Sequence, residues 1–400
     1  MPDIEVFRLG ETRLREHFLN HAEGIFRRLL AANPGHPRVL QLLGVSLFKL
    51  GRWDEGIAYL RQAGTANPDN AEAWFDLAVA LRDRGQRTQA EAAYAQGAAK
   101  LTGAGERDSM PALDAQAFSS EHGEQSVKFI DYTYRPKVRY GAGRPPHAGL
   151  GRILAAGRDR YAGFIDRMAE QRADFAQVLD FAKDTALRPY WLNWWFPPLD
   201  AIALSTMLRT GRPRVLVEVG SGISTKFARW TIECHGLDTR ITSIDPQPRQ
   251  EIERLVDRQI RRPLEQIPLE SFDQLGENDI LFIDSSHRAF ENSDVTTFFL
   301  DVLPRLKPGV LVHIHDVYLP YDYLSAYLDR LWNEQYFLAT ALLYGGAGLE
   351  ILFPCWYVSQ DPELGALVDQ RLRQGPLKHL SLHGVSFWLR KTAHPGVGHA

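Results

Sequence analysis

Cysteine is nearly missing from this chain, with only Cys234 and Cys355 among 400 residues. Neither a disulfide framework nor a cysteine-ligated metal site is therefore expected. Long apolar runs are missing as well. No stretch of about 18 apolar residues occurs, so no membrane-spanning helix is expected. The opening Met-Pro-Asp-Ile-Glu-Val-Phe-Arg has no basic region leading into an apolar core. These gaps lead to the expectation of a cytoplasmic protein with no membrane partner. A charge surplus is lacking too. The 46 Lys and Arg stand against 49 Asp and Glu, and a formal charge of −3 gives no general reason to bind nucleic acid. What remains, 44% hydrophobic and 24% charged residues, is ordinary for a globular chain and leaves room for two or three domains.

Residues 11 to 101 repeat themselves. Asn33-Pro34 returns as Asn67-Pro68, Leu43-Gly44-Val45 as Leu77-Ala78-Val79, Gly51 as Gly85, and Gly24 as Ala58 and Ala92, at a period of 34. Small residues where two helices touch, with Asn-Pro closing each pair, resemble the tetratricopeptide repeat. The resemblance implies an all-α domain over residues 1–101. Such a stack buries its core only between neighbours, so its ends are expected to lean on another domain or another chain. A groove that recruits a peptide or protein partner and a dimerising appendage both stay open.

Residues 102–148 lose this period to Gly, Ser and Pro and read as a linker, with Phe129-Ile-Asp-Tyr-Thr-Tyr134 as one short strand. From 149 to 212 the pattern is that of a helical cap, with apolar faces from Ile153, Phe164, Ile165, Met168, Phe175, Val178, Leu179 and Phe181. Within it, Tyr190, Trp191, Trp194, Trp195 and Phe196 crowd together. They read as core packing of the cap, or as an acceptor wall formed by Tyr190, Trp191, Leu192 and Asn193, in which Asn193 is the polar anchor.

The most informative stretch is Arg214-Val-Leu-Val-Glu-Val-Gly-Ser-Gly-Ile-Ser-Thr-Lys-Phe-Ala-Arg229. Its apolar run suits a strand buried on both faces, and Gly220 and Gly222 permit a sharp turn into the helical pattern that follows. Ile241-Thr-Ser-Ile-Asp245 reads as the next strand, ending in a carboxylate placed to take ribose hydroxyls. The turn departs from Gly-x-Gly-x-x-Gly, so a nucleotide-like ligand without a pyrophosphate is expected.

Val-Glu-Val-Gly-Ser-Gly-Ile-Ser-Thr resembles the first motif of class I S-adenosylmethionine-dependent methyltransferases, in their small-molecule branch. Asp279-Ile-Leu-Phe-Ile-Asp-Ser-Ser-His287 and Leu303-Pro-Arg-Leu-Lys-Pro-Gly-Val-Leu-Val-His-Ile-His-Asp316 look like that fold's fourth and fifth strands. The resemblance runs from about Tyr190 to Arg390. It implies an α/β fold with a Rossmann-like seven-stranded methyltransferase sheet over 213–392, preceded by the all-α repeats and the cap and followed by a tail over 393–400. The implied cofactor is S-adenosylmethionine, held by Glu218, Gly220, Ser221, Gly222, Ser224, Thr225, Asp245 and Asp284. Glu270 joins them from Glu265-Gln-Ile-Pro-Leu-Glu-Ser-Phe272, expected as the third strand and the loop after it.

Asp284-Ser-Ser-His287 is similar to the motif of metal-dependent macrolide-sugar O-methyltransferases, in which the aspartate binds magnesium, the histidine is the base and an acidic pair completes the metal site. Carried over by position, Asp284, His315 and Asp316 become ligands and His287 the base, with Asp284 beside it in catalysis. His315 stands where that family has a carboxylate. A nitrogen donor shifts the expectation from magnesium toward manganese, iron or zinc, or toward no metal. His313 alternates inward and reads as a core histidine. Tyr318 and Tyr321, in the loop after Asp316, are the expected substrate contacts. The leading expectation is an O-methyltransferase acting on a hydroxyl of a sugar or natural product. A peptide or protein acceptor brought in by the repeats, and a non-catalytic scaffold, are the alternatives.

Overall fold

A computed structural model describes residues 7, 19–84, 86–101, 137–141, 143–180, 187–191, 193, 195–248, 252–324, 327 and 330–393. The short strand expected at Phe129–Tyr134, together with Phe181, Leu192 and Trp194, lies outside these residues. The chain divides into two compact units. One gathers Met1–Val138, Leu192–Trp195 and Leu324–Asp329, and the other Arg139–Trp191, Phe196–Tyr323 and Arg330–Ala400.

Among the described residues the first unit holds five helices, α1 (Leu19–Ala32), α2 (Pro37–Lys49), α3 (Trp53–Ala66), α4 (Ala71–Asp83) and α5 (Arg87–Leu101). The 34-residue period returns as repeated contacts. His36 caps α2 by accepting from Val39 N, and Asn70, its counterpart one period on, caps α4 by accepting from Ala73 N. Arg27 donates to Glu55, and one period later Arg61 donates to Gln89. The small residues do what the period requires. A Cβ at Gly44 would lie 2.9 Å from Gly56 O, and one at Gly56 would lie 2.8 Å from Gly44 O, so α2 and α3 touch backbone to backbone.

The second unit begins with α6 (Ala148–Ala155) and α7 (Arg158–Glu170), continues through a 3-10 turn at Arg172–Gln177, and reaches α8 (Pro198–Gly211). Its sheet has seven strands: β1 (Val215–Val219), β2 (Arg240–Ile244), β3 (Arg258–Ile260), β4 (Ile280–Ile283), β5 (Leu311–Ile314), β6 (Leu349–Pro354) and β7 (Phe387–Lys391). Their order is β3-β2-β1-β4-β5-β7-β6, parallel except where β7 pairs antiparallel with both neighbours. Every residue of β1, β4 and β5 is buried, as expected of central strands covered on both faces.

Two elements differ from what the sequence leads one to expect. The third strand is Arg258–Ile260, whereas Glu265–Phe272 forms two 3-10 turns, Leu264–Gln266 and Leu269–Phe272, each preceded by a proline. Proline has no N–H for a sheet ladder, which keeps this apolar stretch out of the sheet. The aromatic segment is also not helical where described: residues 187–191, 193 and 195–197 form a turn, bends and an isolated bridge before the helix that starts at Pro198.

The staggered ladder positions the site. Gly220 N donates to Ile244 O, Asp284 N to Val219 O and His315 N to Ile283 O, at 3.0, 2.9 and 2.9 Å. The residues just past β1, β4 and β5 therefore stand side by side on the carboxyl edge of the sheet. Strand order reverses between β1 and β4, and open α/β sheets bind ligands at such a switch point.

Candidate active site

The glycine turn lies directly against the acidic strand end beside it. Gly220 adopts φ +79, and a Cβ there would sit 1.7 Å from the Asp284 carbonyl oxygen. On the other side, Ser221 N donates to Asp245 Oδ2 at 2.8 Å, and Ser221 Oγ pairs with Ser243 Oγ. Asp245 Oδ1 accepts from Gln247 N at 2.8 Å. Each carboxylate oxygen can accept more than one hydrogen bond, so half-buried Asp245 can still receive ligand hydroxyls.

Glu218 plays a different part. It is 1% exposed, and its two oxygens accept from the hydroxyls of Ser224 and Thr225 in the helix that follows, α9 (Ile223–Cys234). Thr225 Oγ1 in turn accepts from Gly222 N at 3.0 Å. Burial pushes the Glu218 carboxyl up to about 7 against the pull of these hydroxyls. Three residues expected at the cofactor are thus turned toward one another and fasten the turn to its helix. Glu218→Ala should lower stability by about 1–3 kcal/mol, because buried hydroxyls lose their acceptor. Urea unfolding with an unchanged midpoint would rule out this fastening role.

Beyond β4 and β5 lies a cluster of carboxylates and imidazoles. His287 Nε2 is 3.4 Å from Asp284 Oδ1 and 3.3 Å from Asp316 Oδ2. Its Nδ1 is 2.9 Å from Glu334 Oε2. Burial alone would lower the His287 pKa, but the hydrogen bonds to Asp284 and Glu334 and the charge of Asp316 outweigh it and push the ring up to about 10. His315 Nδ1 lies 3.7 Å from each of Asp284 Oδ1 and Asp316 Oδ2, and its Nε2 is 3.4 Å from Asp200 Oδ2. Burial opposes the charged form here too, yet Asp284 and Asp316 hold this ring well above the ordinary imidazole range. His287 and Asp316 both sit at positive φ, +59 and +55, so backbone strain accompanies the cluster.

The donor set fits a divalent cation. Single ligand atoms of Asp284, His287 and Asp316 all lie within 4.8 Å of one another. His315 Nδ1 faces the same two carboxylates at 3.7 Å. Mixed nitrogen and oxygen donors suit manganese, iron or zinc better than magnesium.

Three of the aromatic residues in and near the expected substrate contacts are buried. Tyr190 is 2% exposed, with the Lys226 ammonium 5.8 Å from its ring centroid. Trp191 is 3% exposed and packs between Phe175 and Phe227. Tyr318 is 1% exposed, edge-on to Tyr323 and Trp356. These rings pack in the interior and form no open wall, because large apolar rings gain more from burial than from lining water. Tyr321 stays half-buried beside Gly141, and Asn193 Oδ1 accepts from Trp195 N. Glu270 is exposed on its 3-10 turn. His313 is a core histidine as expected, stacked 3.6 Å from Phe282 and bonded through Nε2 to Ser386 Oγ. Two buried carboxylates were missed, Glu334 against His287 and Asp200 near His315. Asp200 accepts from Val385 N and Ser386 N at 2.8 and 2.9 Å.

Comparison with known families gives the outline its chemistry. A family model described as a methyltransferase domain matches residues 217–317, the span from the glycine turn to the end of the acidic cluster. Two tetratricopeptide repeat models match residues 7–64 and 47–104. The chain joins tetratricopeptide repeats to a methyltransferase domain. Such a domain implies S-adenosylmethionine as methyl donor, and the glycine turn at the switch point fits it. No curated protein matches. Among solved structures, one titled MamA AMB-1 is 25% identical with a TM-score of 0.23, over 25% of this chain and 55% of that one. A mutant O-GlcNAc transferase of Thermobaculum terrenum is 15% identical with a TM-score of 0.26, over 70% of this chain and 46% of that one. The chain spans about half the length of these structures, and at such TM-scores the likeness carries no argument. Cys234 and Cys355 are both free thiols, and no helix among the described residues is long and apolar enough to cross a membrane.

Proposed function

We propose that the protein is an S-adenosylmethionine-dependent O-methyltransferase for a hydroxyl of a sugar or other small natural product. The observation that supports it most is the contact between Gly220 and the Asp284 carbonyl, which sets the donor's turn against the cluster able to take a proton. Bound S-adenosylmethionine supplies an electrophilic methyl group on a sulfonium, and the sulfur keeps the bonding electron pair as a neutral thioether. Asp245 binds the ribose, and the backbone of residues 220–222 leaves room for the rest.

His287 is the base. Its Nε2 accepts the acceptor's hydroxyl proton as the oxygen takes the methyl group, which balances the reaction. Asp284, with its side chain 30% exposed, is the member of the cluster through which that proton returns to water. Asp284, His315 and Asp316 would hold a divalent ion, which would polarise the hydroxyl and raise its acidity. The repeats would recruit a protein partner or a second copy.

The test is binding of the donor. Asp245→Ala should weaken S-adenosylmethionine by about 1–3 kcal/mol, roughly 10- to 100-fold in Kd, because hydrogen bonds to a charged acceptor are lost. Equal calorimetric affinity for wild type and variant would remove Asp245 from the site. No binding by either would remove the methyltransferase reading itself.

A further inference from the structure

We infer that Glu334 is a positioning residue for His287, fixing one ring tautomer so that Nε2 faces Asp284 and Asp316. Its purpose rests on the methyltransferase reading, but its geometry does not. Residues 332–334 enclose His287 from one side. Asn333 N and Glu334 N both donate to His287 O, at 2.9 and 3.3 Å, and Ala289 N donates to Asn333 Oδ1 at 2.6 Å. The Trp332 ring lies 4.3 Å from the imidazole, centroid to centroid. Glu334 Oε2 completes the enclosure at Nδ1.

The residue types make this arrangement informative. Asn333 and Glu334 open the helix Glu334–Leu343, where an Asn at the cap and an acid in the first turn ordinarily serve the helix's own N–H groups. Here the Asn333 side chain makes no capping bond, and both side chains are turned toward residues 287–289. Glu334 is fully buried, and its Oε1 has no hydrogen-bond partner. A carboxylate buried with one oxygen idle is a poor device for stability, since desolvation outweighs a single contact. Asp200 differs, because both its oxygens tie down backbone N–H groups near β7.

The chemistry follows from the inventory of a neutral imidazole, in which one nitrogen donates and the other accepts. Glu334 can only accept when ionised, so Nδ1 carries a hydrogen whether the ring is neutral or charged, and Nε2 is the nitrogen left to take up or release a proton. The same logic has a carboxylate orient the base in nucleophile-and-base constellations.

The experiment uses the full chain labelled with 15N-histidine, with S-adenosylhomocysteine as the ligand, and compares wild type, Glu334→Gln and Glu334→Asp. His287→Gln assigns the ring signals. Wild type should show a downfield, slowly exchanging Nδ1 proton on His287. Glu334→Gln, whose amide oxygen is an uncharged and weaker acceptor, should move that signal upfield and speed its exchange while keeping a cooperative thermal transition at or above the wild-type midpoint and ligand affinity within about twofold. Glu334→Asp, which keeps the charge, should restore the signal in part. An unchanged His287 ring spectrum in folded Glu334→Gln overturns the inference. So does a Glu334→Gln chain that no longer unfolds cooperatively, since the carboxylate would then be structural. Failure of every form to bind S-adenosylhomocysteine, with the ring signals behaving as expected, would discard the methyltransferase reading and leave the positioning intact.

Discussion

Alanine in place of Gly220 is expected to abolish donor binding and to destabilise the sheet unit by more than about 3 kcal/mol, beyond the range of ordinary substitutions. Two costs combine. The residue sits at φ +79, where a side chain is strained by about 1–2 kcal/mol. The added methyl would also lie 1.7 Å from the Asp284 carbonyl oxygen, an overlap that no rotamer relieves because backbone geometry fixes the Cβ and the oxygen is itself backbone. Relief requires β1 and β4 to part at their carboxyl ends, which would move the donor turn and Asp284 together. Gly51→Ala supplies the control: its φ is +81, yet nothing lies within 4 Å of the added Cβ, so it should show the strain alone. Calorimetric titration with S-adenosylmethionine and urea unfolding of both variants measure the difference. A Gly220→Ala protein that binds and unfolds like Gly51→Ala would show that the close approach is dispensable.

The same glycine shows why so much of the fold was legible. Gly220, the apolar run before it and Asp245 are local signals, each set by backbone angles or by burial on two faces. The helical repeats were legible for a similar reason, since Gly44 and Gly56 are small because two backbones meet there. The third strand was not. Arg258-Gln-Ile has no apolar alternation and belongs to the sheet only because β2 offers it a parallel edge, whereas the apolar segment after it carries Pro263 and Pro268 and turns away.

The candidate cluster of Asp284, His287 and Asp316 was legible as two short motifs at strand ends, which the fold brings together. Its supporting groups were not, because Glu334 stands 47 residues from His287 and only the fold brings them together. A glutamate opening a helix has an ordinary explanation, so nothing in its local sequence marks it. Tyr190, Trp191 and Tyr318 are the opposite case. Aromatic residues near a site look like ligand contacts in a sequence, yet ring burial made them the interior packing behind it.

His287→Ala is expected to lower turnover by about 10²–10⁴-fold while leaving donor affinity nearly unchanged, because proton removal acts on the transition state and not on cofactor binding. The pH dependence adds a second readout. With the ring pushed up to about 10, the base is mostly protonated at neutral pH in the absence of a cation, so turnover without added metal should rise with pH toward about 10 and fall as pH drops. A divalent ion held by Asp284 and Asp316 would offset two of the three carboxylates that raise the ring, and should move that rise to lower pH. Chelation should then depress turnover at neutral pH, with added manganese restoring it. A pH profile and rate indifferent to chelator, alongside a crippled His287→Ala, would keep the base and discard the ion. Indifference to both would leave only positioning to account for the rate, and the cluster beyond β4 and β5 would have no part in the chemistry.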